Sequence, residues 1–142
     1  MTSSPVPAPI AEALSRYPGP VRARLLEIRD LIFAVAAATE AIGPLTETLK
    51  WGEPAYLTAA SRSGTTVRLG ATKSAPESPA VLFNCKTTLV ETSRTHFAGD
   101  FAFEGNRALI VPLAGALPHE PLRLCLYTAL TYHQRKLAGS RS

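Results

Sequence analysis

The segment Lys50-Trp51-Gly52-Glu53-Pro54-Ala55-Tyr56 concentrates two aromatic rings and both signs of charge. Such a set either contacts a ligand or anchors a core, because an aromatic ring fills buried volume as readily as it stacks on a guest. The reading adopted is structural. Trp51 is expected to fill space between helix and sheet, with Lys50 leading into it and Gly52 and Pro54 setting the turn. On that reading Trp51→Ala costs roughly 3–5 kcal/mol, as other large-to-small core changes do.

A second set is cationic. Strand alternation puts Val67, Leu69, Val81, Phe83 and Cys85 on one buried face and Arg68, Asn84 and Lys86 on the opposite one. Lys86 runs into Thr87 and Thr88, whose backbone N–H groups open a helix, and helix N-termini attract anions. The candidate ligand site therefore comprises Arg68, Lys86, Thr87 and Thr88, with the edge of Tyr56 as a flat wall and Arg107 arriving from a hairpin turn. A phosphate or carboxylate suits it. The plainer alternative makes Arg68 and Lys86 solvated sheet residues and Thr88 only a helix cap.

No catalytic signature accompanies these residues. Gly-x-Gly-x-x-Gly, the phosphate loop, Gly-x-Ser-x-Gly and His-Glu-x-x-His are all absent, so no catalytic residue is assigned. His96, His119 and His133 lie too far apart for a local metal motif, and His133 sits on an apolar helical stripe as a core or boundary residue. Cys85 and Cys125 fall in apolar segments outside any Cys-x-x-Cys pair and are expected to be reduced and buried. Neither a metal nor a cofactor is assigned.

Composition narrows the field further. Of the 142 residues 46% are hydrophobic, enough for one core and too many for a disordered chain. Fifteen Lys and Arg against 11 Asp and Glu give a net charge of +4. These charges are scattered and accompany no nucleic-acid reader motif, which argues against nucleic acid as the partner. The longest apolar stretch, residues 31–38, stops at Thr39 and Glu40, far short of the roughly 20 residues that span a bilayer. With no leader pattern and no disulfide framework, the protein is expected to be cytoplasmic.

The elements that must position these residues follow from periodicity and punctuation. Residues 1–9, rich in Pro and Ser, read as a flexible tail, 10–137 as a single domain and 138–142 as a second tail. A short helix over 10–17 is broken by Pro18-Gly19-Pro20. In the helix that follows, Val21, Leu25, Ile28, Ile32 and Val35 form one buried stripe, leaving Arg22, Arg29 and Asp30 mostly outward. Gly43-Pro44 opens a helical turn through Lys50, and Pro54 forces extended chain after it. Residues 55–60, 65–71, 80–85 and 108–113 read as strands, and 101–103 pairs with the last of them across Glu104-Gly105-Asn106. Thr88-Leu89-Val90-Glu91 has the form of a capping box opening a helix over 89–98, and a final helix runs over about 121–137. The expected architecture is α+β: a mostly antiparallel sheet of four or five strands packed with N-terminal and C-terminal helices.

Glu47-Thr48-Leu49-Lys50-Trp51-Gly52-Glu53-Pro54-Ala55-Tyr56, the helix carrying Leu25, Ile28 and Ile32, and Phe103-Glu104-Gly105-Asn106-Arg107-Ala108 resemble the YdhG-like family, a bacterial domain of unknown function. The resemblance covers residues 10–137, and Lys50-Trp51-Gly52 with Pro54 is its most specific part. It implies an α+β fold with helices packed on an antiparallel sheet and a small bacterial cytosolic protein. One branch of the family is regarded as an iron chaperone, but a hard cation wants clustered carboxylates and here no two acids are adjacent. The reading is thus a binding module for a small anionic ligand or a protein partner, with a homodimer left open. The alternatives are an enzyme with an unrecognised site or an iron chaperone.

Overall fold

A computed structural model of the chain describes residues 5–84 and 87–134. Helices α1 (Ala8–Leu14) and α2 (Gly19–Ala38) come first, separated by Pro18, which holds an extended conformation before the second helix. Strands β1 (Thr46–Lys50), β2 (Glu53–Leu57), β3 (Val67–Gly70) and β4 (Ala80–Leu82) follow. Helix α3 (Leu89–Phe97), strands β5 (Ala102–Glu104) and β6 (Ala108–Ile110), and helix α4 (His119–Leu130) complete the order.

The strands form a six-stranded sheet in the order β1-β2-β3-β4-β6-β5, with every neighbouring pair antiparallel. The α+β expectation holds, with six strands where four or five were expected. The added strand is β1, which the sequence reading made a helical turn. Only Glu47 of its five residues is half-buried, so β1 is held by its ladder to β2, whose register runs from Thr46↔Leu57 to Lys50↔Glu53, and not by a buried apolar face.

That period also sorts the two sheet faces. Tyr56, Val67, Leu69, Val81, Phe83 and Leu109 join the main core with Leu25, Ile28 and Ile32 of α2 and Leu122 and Leu126 of α4. Each such fully buried aliphatic side chain contributes roughly 1.5–3 kcal/mol relative to exposure. Helices α1, α2 and α4 thus share one layer against one face. On the other face Ala80, Leu82 and Ala108 form a small separate buried cluster with Ile110 beside them, and Ala55 is buried on the same side.

Two arginines break the outward pattern expected of polar helix residues. Arg29, assigned to the solvent side of α2, is 1% exposed, and Arg24 is also buried. Arg29 is drawn inward because Glu47 of β1 waits beside the core, and Arg24 donates to the carbonyls of Leu113 and Gly115 at 3.1 and 2.5 Å. The N-terminal segment is likewise not free from residue 5 on. The carbonyl of Pro5 accepts from Arg29 Nη2 at 2.7 Å, and α1 starts at Ala8. The remaining tail residues, 1–4 and 138–142, lie outside the described residues. Helix α4 starts at His119 and breaks after Leu130, with residues 132–134 helical again, and residues 63–65 close over the break. Ser63 Oγ donates to the Leu130 carbonyl at 2.7 Å and the Thr65 N–H to that of Ala129 at 3.0 Å. Gly64 allows this approach, since a Cβ there would run into the Leu130 backbone.

Candidate functional site

The β1–β2 hairpin closes beyond the Lys50↔Glu53 pair through a two-residue turn, Trp51-Gly52, with φ of 58° and 76°. Positive φ at both central residues is the hairpin geometry that matches strand twist, and it favours Asn or Gly at the first position. A bulky ring there costs on the order of 1–2 kcal/mol. Trp51 nonetheless occupies it and is 88% exposed, so the core role expected of it is overturned. Standing past the last strand pair, it has no helix layer above it.

Below Trp51 lies the face of the sheet that the helices leave open. Arg68 of β3 sits there between its register partners Ala55 and Leu82. Its Nη1 donates to Glu53 Oε1 at 2.5 Å, with the two side chains 23% and 19% exposed. A side chain at Gly70 would collide with the Glu53 carboxylate, so this glycine keeps room for the pair. Burial pushes the Glu53 carboxyl above the ordinary carboxylate range, a rise that Arg68 and Arg107 oppose but do not cancel.

Two adjoining hollows occupy this face, and Trp51, Arg68 and Arg107 line both. One, of about 300 Å³, adds Glu53, Lys73 and Leu82. The other, of about 450 Å³, adds Lys50, Thr66 and Asn84 and has no carboxylate among the described residues of its wall. These volumes suit a small ligand. The three-residue loop after β5, with Gly105 at φ 55°, turns the chain back so that Arg107 stands at the strand ends just before β6, where its carbonyl accepts the Phe83 N–H at 2.7 Å.

Among solved structures the chain is similar to the crystal structure of YdhG from Bacillus subtilis, a protein of the DUF1801 family. The TM-score is 0.55 at 16% identity, over 94% of this chain and 93% of that one. The chain has the YdhG-like fold. No family model matches the sequence, and no curated protein matches it.

Within this YdhG-like fold the expected site residues separate. Arg68 and Arg107 converge on the open face. Tyr56 does not join them. It is 0% exposed on the helix-covered face, where its hydroxyl donates to Glu47 Oε2 at 2.8 Å, and strand alternation keeps it opposite Arg68's side of the sheet. Thr87 donates its hydroxyl to the Asn84 carbonyl at 2.8 Å, and Thr88 makes no side-chain cap bond. The capping box fails because Thr88 has φ −95° and ψ 12°, outside the extended region from which an N-cap hydroxyl reaches back to the helix. Lys86 and Cys85 lie outside the described residues, as do residues 135–137 of the expected last helix. Cys125 is a free, buried cysteine 3.2 Å from Ser93 Oγ, and burial raises its thiol pKa.

Sequence reasoning missed Lys50, Lys73 and Glu53 as site residues and Trp51 as a site aromatic. The signal for Trp51 was present: Trp-Gly between two alternating segments reads as a two-residue hairpin turn, and a turn residue is exposed. Among the described residues no three His, Cys, Asp or Glu side chains gather at one point, and no helix is long and apolar enough to cross a membrane.

Proposed function

We propose that this protein is a binding module whose open sheet face takes a small anionic ligand. The observation that carries the reading is the convergence of Arg68, Arg107, Lys50 and Lys73 on two joined hollows whose described walls include one carboxylate, Glu53. Arginine forks match the paired oxygens of carboxylate and phosphate, and a concave, partly dry wall strengthens each such contact. A small ligand is favoured over a protein partner because the cations line hollows rather than a flat patch. Glu53 holds Arg68 in place, so an arriving anion competes with Glu53 for that guanidinium.

The test is calorimetric titration with phosphate, sulfate and small dicarboxylates, comparing wild type with the double variant Arg68→Ala/Arg107→Ala. Saturable binding lost in the double variant supports the reading. Binding that survives unchanged, or wild type that binds none of these anions, rejects it.

A further inference from the structure

Resting on that anion site, we propose that its ligand is a flat heteroaromatic ring carrying an anionic group, a mononucleotide-like molecule, with the ring stacked on Trp51. Three observations meet here. First, Trp51 is held at φ 58° and 88% exposed in a turn that glycine would form without strain. A strained, solvent-facing indole next to a cavity is the kind of outlier that function retains. Second, Trp51 borders both hollows, so a ring lying on it projects substituents into either.

Third, the hollows differ in chemistry. The one lined by Lys50, Thr66, Asn84 and the two arginines has no carboxylate among the described residues of its wall and suits the anionic group. Its neighbour offers Leu82 as an apolar floor and Glu53 as an acceptor, which suits the edge of a ring bearing N–H donors. Arg68 and Arg107 lie between, able to hold the anion at one end and to stack on the ring at the other. An inorganic anion alone would leave Trp51 without a role.

The chain has one tryptophan, so its emission reports on this site alone. The experiment titrates the whole protein with adenosine 5′-monophosphate and with ribose 5-phosphate, following emission excited at the red edge of the indole band and calorimetric heat. The expected result is quenching by the nucleotide and an affinity roughly tenfold or more above that of ribose 5-phosphate, the size of one base–aromatic stack. Trp51→Gly, which keeps the turn, should bring the nucleotide down to the ribose 5-phosphate level and leave ribose 5-phosphate unchanged. Trp51→Phe should restore part of the difference. Equal affinity for the two ligands in wild type overturns the ring inference and leaves the anion site standing. Absence of binding by both overturns the two together.

Discussion

The β1–β2 hairpin carries two glutamates, each paired with an arginine on a different face of the sheet, and the two pairs are built to opposite ends. On the covered face, Arg29 grips Glu47 with two bonds, Nε to Oε2 at 2.6 Å and Nη2 to Oε1 at 2.9 Å. Tyr56 adds a third donor to the same carboxylate, Pro5 takes a further Arg29 N–H, and the guanidinium lies 4.9 Å from the Phe33 ring centre. On the open face, Arg68 and Glu53 share a bond at 2.5 Å and remain partly exposed beside two hollows. The first pair is closed by its neighbours, whereas the second leaves room for a competitor. The same residue types thus serve stability where every group has a partner and binding where a partner can be exchanged.

Breaking the covered pair should produce the largest effect. Arg29→Ala strands the Glu47 carboxylate in the core, and loss of one partner of a buried pair costs about 3–5 kcal/mol. Urea unfolding should show this as a large fall in midpoint. Tyr56→Phe removes one donor from Glu47 and should cost about 1–3 kcal/mol in the same assay. That hydroxyl, held beside Glu47 and away from water, has its pKa raised well above the ordinary tyrosine value, so its absorbance should not titrate until the protein unfolds in alkali.

The open face should respond in the reverse sense. Trp51→Gly removes an exposed ring and relieves a left-handed residue, so it should leave thermal stability equal to wild type or raise it by about 1 kcal/mol. A loss near the 3–5 kcal/mol of a core aromatic would instead restore the anchoring role.

The smallest effect expected is in pH. Because burial raises the folded-state pKa of Glu53, the folded protein still holds a proton that the unfolded chain has released, in a window starting near the ordinary Glu value of about 4.3 and reaching upward. Stability conferred by that proton is present below the window and is lost as pH rises through it. Protonation also frees Arg68, so sulfate, whose own charge is constant there, should bind more tightly as pH falls into the window. Glu53→Gln should flatten this trend in calorimetry.

The covered face was far more legible in the sequence than the open one. Val67, Leu69, Val81 and Phe83 announce their side through alternation, and Leu25, Ile28 and Ile32 through helical period, since apolar burial imposes a repeating pattern. Arg29 escaped because a polar residue at a helix position reads as solvated unless its partner is known, and Glu47 is 18 residues away. On the open face Arg68 and Arg107 were legible as cations, but their convergence depends on β4 pairing with β6, which brings the end of the β5–β6 loop beside Phe83. Trp51 was misplaced for a related reason. Bulk argues for burial, and only the recognition of β1 as a strand turns Trp51-Gly52 into the tip of a hairpin.

Exchangeable binding on the open face and stability on the covered one can be separated by following backbone amide and indole N–H signals by NMR during a titration with phosphate. Saturable shifts are expected at Trp51, Arg68, Lys73 and Arg107, including the indole N–H, while Leu25, Ile28, Tyr56 and Leu126 on the covered side stay fixed. Shifts centred on α2 and α4, with the open face unmoved, would contradict this division.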